Sequence, residues 1–132
     1  MPPPLDASLA ANRIKEILEA DPPNGAQVTF ELETAQTGWH APEVAPWLEA
    51  ALERASSMFF GKSAMYMGMG GTIPFMKMLG DAYPGVQFMV TGVLGPKSNA
   101  HGPNEFLEIA TAKRLTGCVA QVLEEHGALA SA

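Results

Sequence analysis

Two short loops hold most of the residues whose types and spacing could do chemistry. The first is Gly68-Met69-Gly70-Gly71-Thr72-Ile73-Pro74. Glycines allow positive φ and close backbone approach. A helix starting near Thr72 would aim its free N–H groups at that turn, which is a cradle for a carboxylate or phosphate, with the Thr72 hydroxyl as an extra donor. The same residues also serve as a plain tight turn with no ligand. The run is not a P-loop, because no Gly-Lys-Ser/Thr follows it. The second loop, from Gly95 to Glu105, gathers Ser98, Asn99, His101, Asn104 and Glu105 between Pro96 and Pro103. A neutral imidazole on such a loop can ligate a metal or move a proton. The plainer alternative is a surface histidine, with Asn104 capping the helix that follows. No second histidine or carboxylate stands nearby at a zinc-motif spacing.

The other reactive residue types read more simply. His40 precedes a helix, and His126 suits a helix C-terminus. Cys118 falls on an apolar stripe and reads as a buried structural thiol. Most of the methionines at 58, 65, 67, 69, 76, 78 and 89 read as gap fillers in a core or interface.

These loops need elements to position them. Apolar residues at helical spacing predict helices over 7–20, 42–59 and 105–125, with Asp6 as the N-cap of the first, Pro42 opening the second and Gly127 stopping the third. A shorter helix is predicted over 73–80. Alternation predicts a strand at Gln27–Glu33, a shorter and more apolar run predicts a more buried one at Val86–Thr91, and a weaker one is expected at Ala64–Met67. Helices and strands in this order predict an α/β fold.

The chain has 132 residues, 47% apolar and 17% charged, and a formal charge of −6. That balance excludes the disordered class, and it argues against a broad nucleic-acid face, which needs basic residues. No run is long and apolar enough for a membrane span. A single cysteine precludes an internal disulfide. The composition and the plain N-terminus lead to the expectation of a reduced, cytoplasmic protein.

At the two loops the sequence resembles a known family. Gly70-Gly71-Thr72-Ile73-Pro74-Phe75 is similar to the Gly-Gly-Ser/Thr-Ile-Pro turn of two-zinc metallopeptidases. These include carnosine-type dipeptidases, glutamate carboxypeptidases, aminoacylases and succinyl-diaminopimelate desuccinylase. Thr91-Gly92-Val93-Leu94-Gly95-Pro96, followed by Asn99-Ala100-His101-Gly102-Pro103-Asn104-Glu105, is similar to their final metal-binding loop. The likeness runs from about Pro3 to about His126.

The resemblance implies residues 1–36 as the end of a lid or dimerisation domain, helix plus strand, and 37–132 as the end of a catalytic α/β sheet domain. It implies His101 as a ligand to one of two zinc ions. Gly70, Gly71 and Thr72 would hold a substrate carboxylate, and Asn104 and Glu105 would brace the ligand. It implies a segment of a peptidase or amidohydrolase that cleaves a dipeptide or N-acyl amino acid. The His-x-Asp motif and bridging aspartate of complete enzymes are absent from this sequence, and Glu124-Glu125, at the tail of the last helix, does not match their Glu-Glu pair, so no catalytic residue is assigned to it and the segment alone is expected to be inactive. Met69 stands where dipeptidase-like members commonly carry glutamate. The alternative is a non-catalytic remnant acting as a binding or assembly module. The expected partner is a second copy of the chain or a complementary N-terminal half, with neither nucleic acid nor membrane involved.

Overall fold

The computed structural model describes residues 1–68 and 74–129. They carry four α-helices: α1 (Ala7–Ala20), α2 (Pro46–Phe60), α3 (Pro74–Ala82) and α4 (Ile109–Leu129), with one 3-10 turn at Pro23–Gly25. The residues gather into two compact units, one built from 1–42 and 74–86, the other from 43–68 and 87–129.

In the first unit the Asp6 carboxylate accepts the Leu9 N–H at 2.7 Å and caps α1 as expected. Pro22 and Pro23 prevent its continuation. Asn24 and Gly25, at φ 58° and 67°, then turn the chain. Ala7 and Ala11 are the buried residues of α1, whereas Leu9, Ile14, Ile17 and Leu18 of its apolar stripe are exposed. Exposed ion pairs join Arg13 to Glu16 and Lys15 to Glu19. The second pair also fastens the segment after the turn: Glu19 accepts the Phe30 N–H at 2.8 Å, and Lys15 donates to the Phe30 carbonyl at 3.1 Å. Lys15, and then the Phe30 amide, hold the Glu19 carboxyl below its ordinary pKa. In the same unit Trp39 lies against Gly80, where an added Cβ would stand 3.3 Å from the indole nitrogen.

In the second unit the core is helix on helix. Leu48, Ala51 and Ala55 of α2 meet Leu115, Cys118 and Val122 of α4. Both sets repeat at i, i+3 and i+7, the spacing of one helix face. The two alanines are fully buried, and their small size permits close approach. Trp47, Leu52, Phe59, Phe60 and Met89 pack around this seam. Cys118 lies in it as expected. Burial pushes its thiol pKa up, and its Sγ lies 3.5 Å from the Ala55 carbonyl oxygen.

The strands expected for an α/β fold are not confirmed by the described residues. Among the described residues there is no strand, and 27–33, 64–67 and 86–91 run without regular secondary structure. An alternating pattern makes a strand only when a neighbour supplies the ladder. Around Phe30 the backbone groups are met by side chains of α1 instead. Met89 uses its side chain on the helical core.

Helix boundaries also moved. Helix α2 begins at Pro46 rather than Pro42, with Pro46 at its first position, and Gly61 at φ 66° ends it by donating to the Ser57 carbonyl. Helix α4 begins at Ile109 rather than Glu105 and passes through Gly127. Residues 105–108 are used by the loop described next.

Candidate functional site

The chain leaves the core after Met89 and enters a loop, 94–108, that delivers it to α4. Gly95 makes the first bend at φ 99°. A Cβ there would meet Glu108, 2.5 Å from Oε2 and 2.7 Å from Cβ, so only glycine allows the two ends of the loop to close. They close through the Glu108 N–H, which donates to the Leu94 carbonyl at 2.9 Å. Ser98 forms the inner peg. It is 1% exposed; its hydroxyl donates to the Leu94 carbonyl. Its own carbonyl accepts the Phe106 N–H at 3.1 Å.

Beyond Ser98 the chain makes a tight reversal. Asn99, His101 and Asn104 have φ values of 53°, 61° and 59°. Left-handed backbone is uncommon for residues with a Cβ, although Asn and His are enriched among those that adopt it. It persists where surrounding bonds enforce it. Here the Gly102 N–H donates to the Asn99 carbonyl at 2.9 Å. The Asn99 carboxamide donates to the Pro103 carbonyl at 2.7 Å, and the His101 N–H donates to the Glu105 carboxylate at 2.5 Å.

The result is an imidazole on an exposed, pinned turn. His101 and Glu105 are both exposed, and the bond between them uses the His101 backbone, which leaves the ring outside that contact. Asn104 does not cap α4, whose first residue is Ile109. The turn residues Gly70, Gly71 and Thr72 lie outside the described residues. So does Met69.

The other reactive groups have separate roles. The His126 ring lies beside Trp47, with centroids 5.0 Å apart. Glu125 is tied to Arg54, whose Nε donates to it at 3.1 Å, and the Gln121 amide donates at 3.0 Å. Arg54 first, then Gln121, pull the Glu125 carboxyl down to about 2. The Glu124-Glu125 pair therefore includes a carboxylate committed to α2. His40 is exposed. Among the described residues no three of His, Cys, Asp or Glu gather to hold a metal ion, and no helix is long and apolar enough to cross a membrane. The burial of Ser98 and the Asn99 bond to Pro103 went unread in the sequence. Asn-rich turn composition is the signal that pointed nearest to them.

Residues 4–125 match Peptidase family M20/M25/M40. The chain is also similar to a cysteinylglycine-S-conjugate dipeptidase of Corynebacterium striatum, 23% identical over 127 residues, which cover 96% of this chain. It spans 28% of that relative's length. With nearly all of its residues inside the matched region, the chain belongs to Peptidase family M20/M25/M40.

Proposed function

We propose that this chain is a segment of a zinc-dependent peptidase or amidohydrolase, acting on a dipeptide or an N-acyl amino acid, and that it supplies one metal ligand and a carboxylate-binding turn. The observation that carries the reading is the His101 loop. Its backbone is pinned by Ser98, Asn99 and Glu105, while the exposed ring is left outside those bonds. A ligand histidine needs a fixed backbone and an accessible nitrogen. The donor set fits one ligand's share of a site and not a whole one, since catalytic zinc takes three protein ligands and an open position. When bound, zinc supplies Lewis acidity and brings the pKa of water to about 7. The roles assigned to this chain are limited to binding and orientation. His101 presents the imidazole, Glu105 holds its backbone, Asn104 belongs to the same brace, and Gly70, Gly71 and Thr72 receive the substrate carboxylate. In this reading residues 1–36 end a lid domain, 37–132 end a catalytic domain, and the protein works in the cytoplasm. Residues 1–132 alone do not turn over substrate.

The test is a zinc titration of the chain followed through the histidine ring protons, together with assays on dipeptides and N-acyl amino acids. Zinc should perturb the His101 ring, and His101→Ala should remove that response. No turnover is expected. Hydrolysis that His101→Ala abolishes would overturn the inactivity of the segment, and a His101 ring indifferent to zinc would overturn its role as ligand.

A second reading, a non-catalytic binding or assembly module, is favoured by one observation. Leu9, Ile14, Ile17 and Leu18 leave an apolar stripe of α1 exposed, the kind of face that associates. Its partner would be a second copy or a complementary N-terminal half. Light scattering across a concentration series tests it, and a strict monomer at the highest concentration counts against self-association.

A further inference from the structure

We propose that Asn99 is a positioning residue for His101, holding through the Pro103 carbonyl the turn that presents the imidazole. The inference rests on the reading of His101 as a metal ligand. Ala100, His101 and Gly102 form the crest of a reversal whose two feet are Asn99 and Pro103. Asn99 ties these feet twice. Its carbonyl accepts the Gly102 N–H at 2.9 Å, and its Nδ2 donates to the Pro103 carbonyl at 2.7 Å. Proline has no N–H, so that carbonyl is the one main-chain hydrogen-bonding group by which Pro103 can be held.

The space around the carboxamide shows how closely it is fitted. A Cβ at Gly102 would stand 2.6 Å from Asn99 Nδ2 and 2.8 Å from both Cγ and Oδ1. The side chain at 99 therefore requires the absence of one at 102. Position 99 has two demands. It must accept φ 53°, and it must carry a donor about three bonds from its Cα. Glycine meets the first demand alone. Aspartate tolerates the same backbone and has the same shape, but its carboxylate turns oxygen toward the Pro103 oxygen. Asparagine meets both. Glu105 acts on the far side of the crest by accepting the His101 N–H, so the imidazole's backbone is fixed from both flanks. Neither contact uses the ring.

The experiment uses the full 132-residue chain, labelled for amide hydrogen exchange by NMR. Asn99→Asp should speed exchange at His101 and Gly102 about two- to fivefold, the loss of one exposed hydrogen bond. Exchange at Cys118 and Val122 in the α4 core should not change. Gly102→Ala should loosen the same two amides through a different atom, and adding Asn99→Asp to it should have little further effect, because both act on one contact. With zinc alone as the probe, the apparent zinc affinity read from the His101 ring protons should fall by a similar factor in Asn99→Asp. Unchanged His101 and Gly102 exchange in Asn99→Asp overturns the proposal while leaving the zinc response of the wild-type ring standing. Equal acceleration at Cys118 and Val122 also overturns it, since Asn99 would then be supporting the whole unit. A wild-type ring indifferent to zinc overturns the underlying reading, and the proposal with it.

Discussion

The sharpest test of the α2–α4 seam is Gly117→Ala. Gly117 lies inside α4, where glycine normally costs about 0.5–1 kcal/mol relative to alanine. Helix propensity alone therefore expects the substitution to stabilise. The geometry expects the opposite. A Cβ at 117 would stand 2.5, 2.7 and 2.8 Å from Cε1, Cζ and Cδ1 of Phe59, against about 3.5–4.0 Å for carbon atoms in comfortable contact. The ring must retreat by about 1 Å or α4 must move away from the seam. Overpacking of this kind costs about 1–3 kcal/mol. After the propensity gain is subtracted, the net loss should be about 1 kcal/mol, within about 0–2.5 kcal/mol. Urea unfolding would show it as a lower midpoint at unchanged slope. The decisive step is to repeat the substitution in a Phe59→Ala background. With the ring gone, the steric cost disappears and Gly117→Ala should stabilise by about 0.5–1 kcal/mol. The predicted sign reversal is specific to contact between these two residues. If Gly117→Ala stabilises in both backgrounds, the ring is not seated on Gly117 and the packing argument fails.

The remaining predictions concern charge and the loop. The Glu125 carboxyl is held down to about 2 from its ordinary 4.5, chiefly by Arg54. A depressed carboxylate contributes stability that is complete above the unfolded pKa and is lost as pH falls through the folded one. The Arg54–Glu125 contribution should therefore fade between about pH 4.5 and pH 2. Glu125→Gln should flatten that limb of a denaturation-versus-pH curve, and an unaltered curve would count against the pair. Ser98→Ala removes a buried hydroxyl but leaves the Leu94 carbonyl with the Glu108 N–H. It should cost about 1 kcal/mol in urea unfolding, and no loss would remove Ser98 as the loop's inner peg.

Features that depend on a few neighbouring residues were legible in the sequence. Asp6 caps α1 because its carboxylate reaches an amide three residues on. Pro22 and Pro23 end that helix whatever surrounds it. The apolar spacing of α2 and α4 put Leu48, Ala51, Leu115, Cys118 and Val122 on helix stripes, and these residues are buried, whereas Met58, Val119 and Leu123 of the same stripes are exposed, and the meeting of the two stripes in one seam is seen only in the structure. The strands were not legible in the same sense. The alternation of 27–33 states that one side of the segment is apolar, but a ladder needs a second backbone, and Phe30 is held by Lys15 and Glu19 instead. The start of α4 was misplaced for a related reason. Glu105, Phe106 and Glu108 have acceptable helical composition, but their polar groups are committed to His101, Ser98 and Leu94.

The same distinction governs the candidate site. Residue types singled out His101, and the motif around it named a chemistry. The left-handed backbone at 99, 101 and 104 could not be read from types alone, because it goes with bonds within the turn, from Asn99 to Gly102 and Pro103 and from His101 to Glu105, that residue types do not announce. An apolar stripe or a lone imidazole records what a residue can do once a partner is present. On α2 the partner is α4, and the stripe becomes core. On α1 four large apolar residues remain exposed, and on the loop a single ring faces outward from a pinned backbone. Both are exposed, and the loop is the more informative of the two. Burial of an apolar face is indifferent to what covers it, whereas on the proposed reading the fixed backbone beneath the exposed imidazole sets where a ring nitrogen stands.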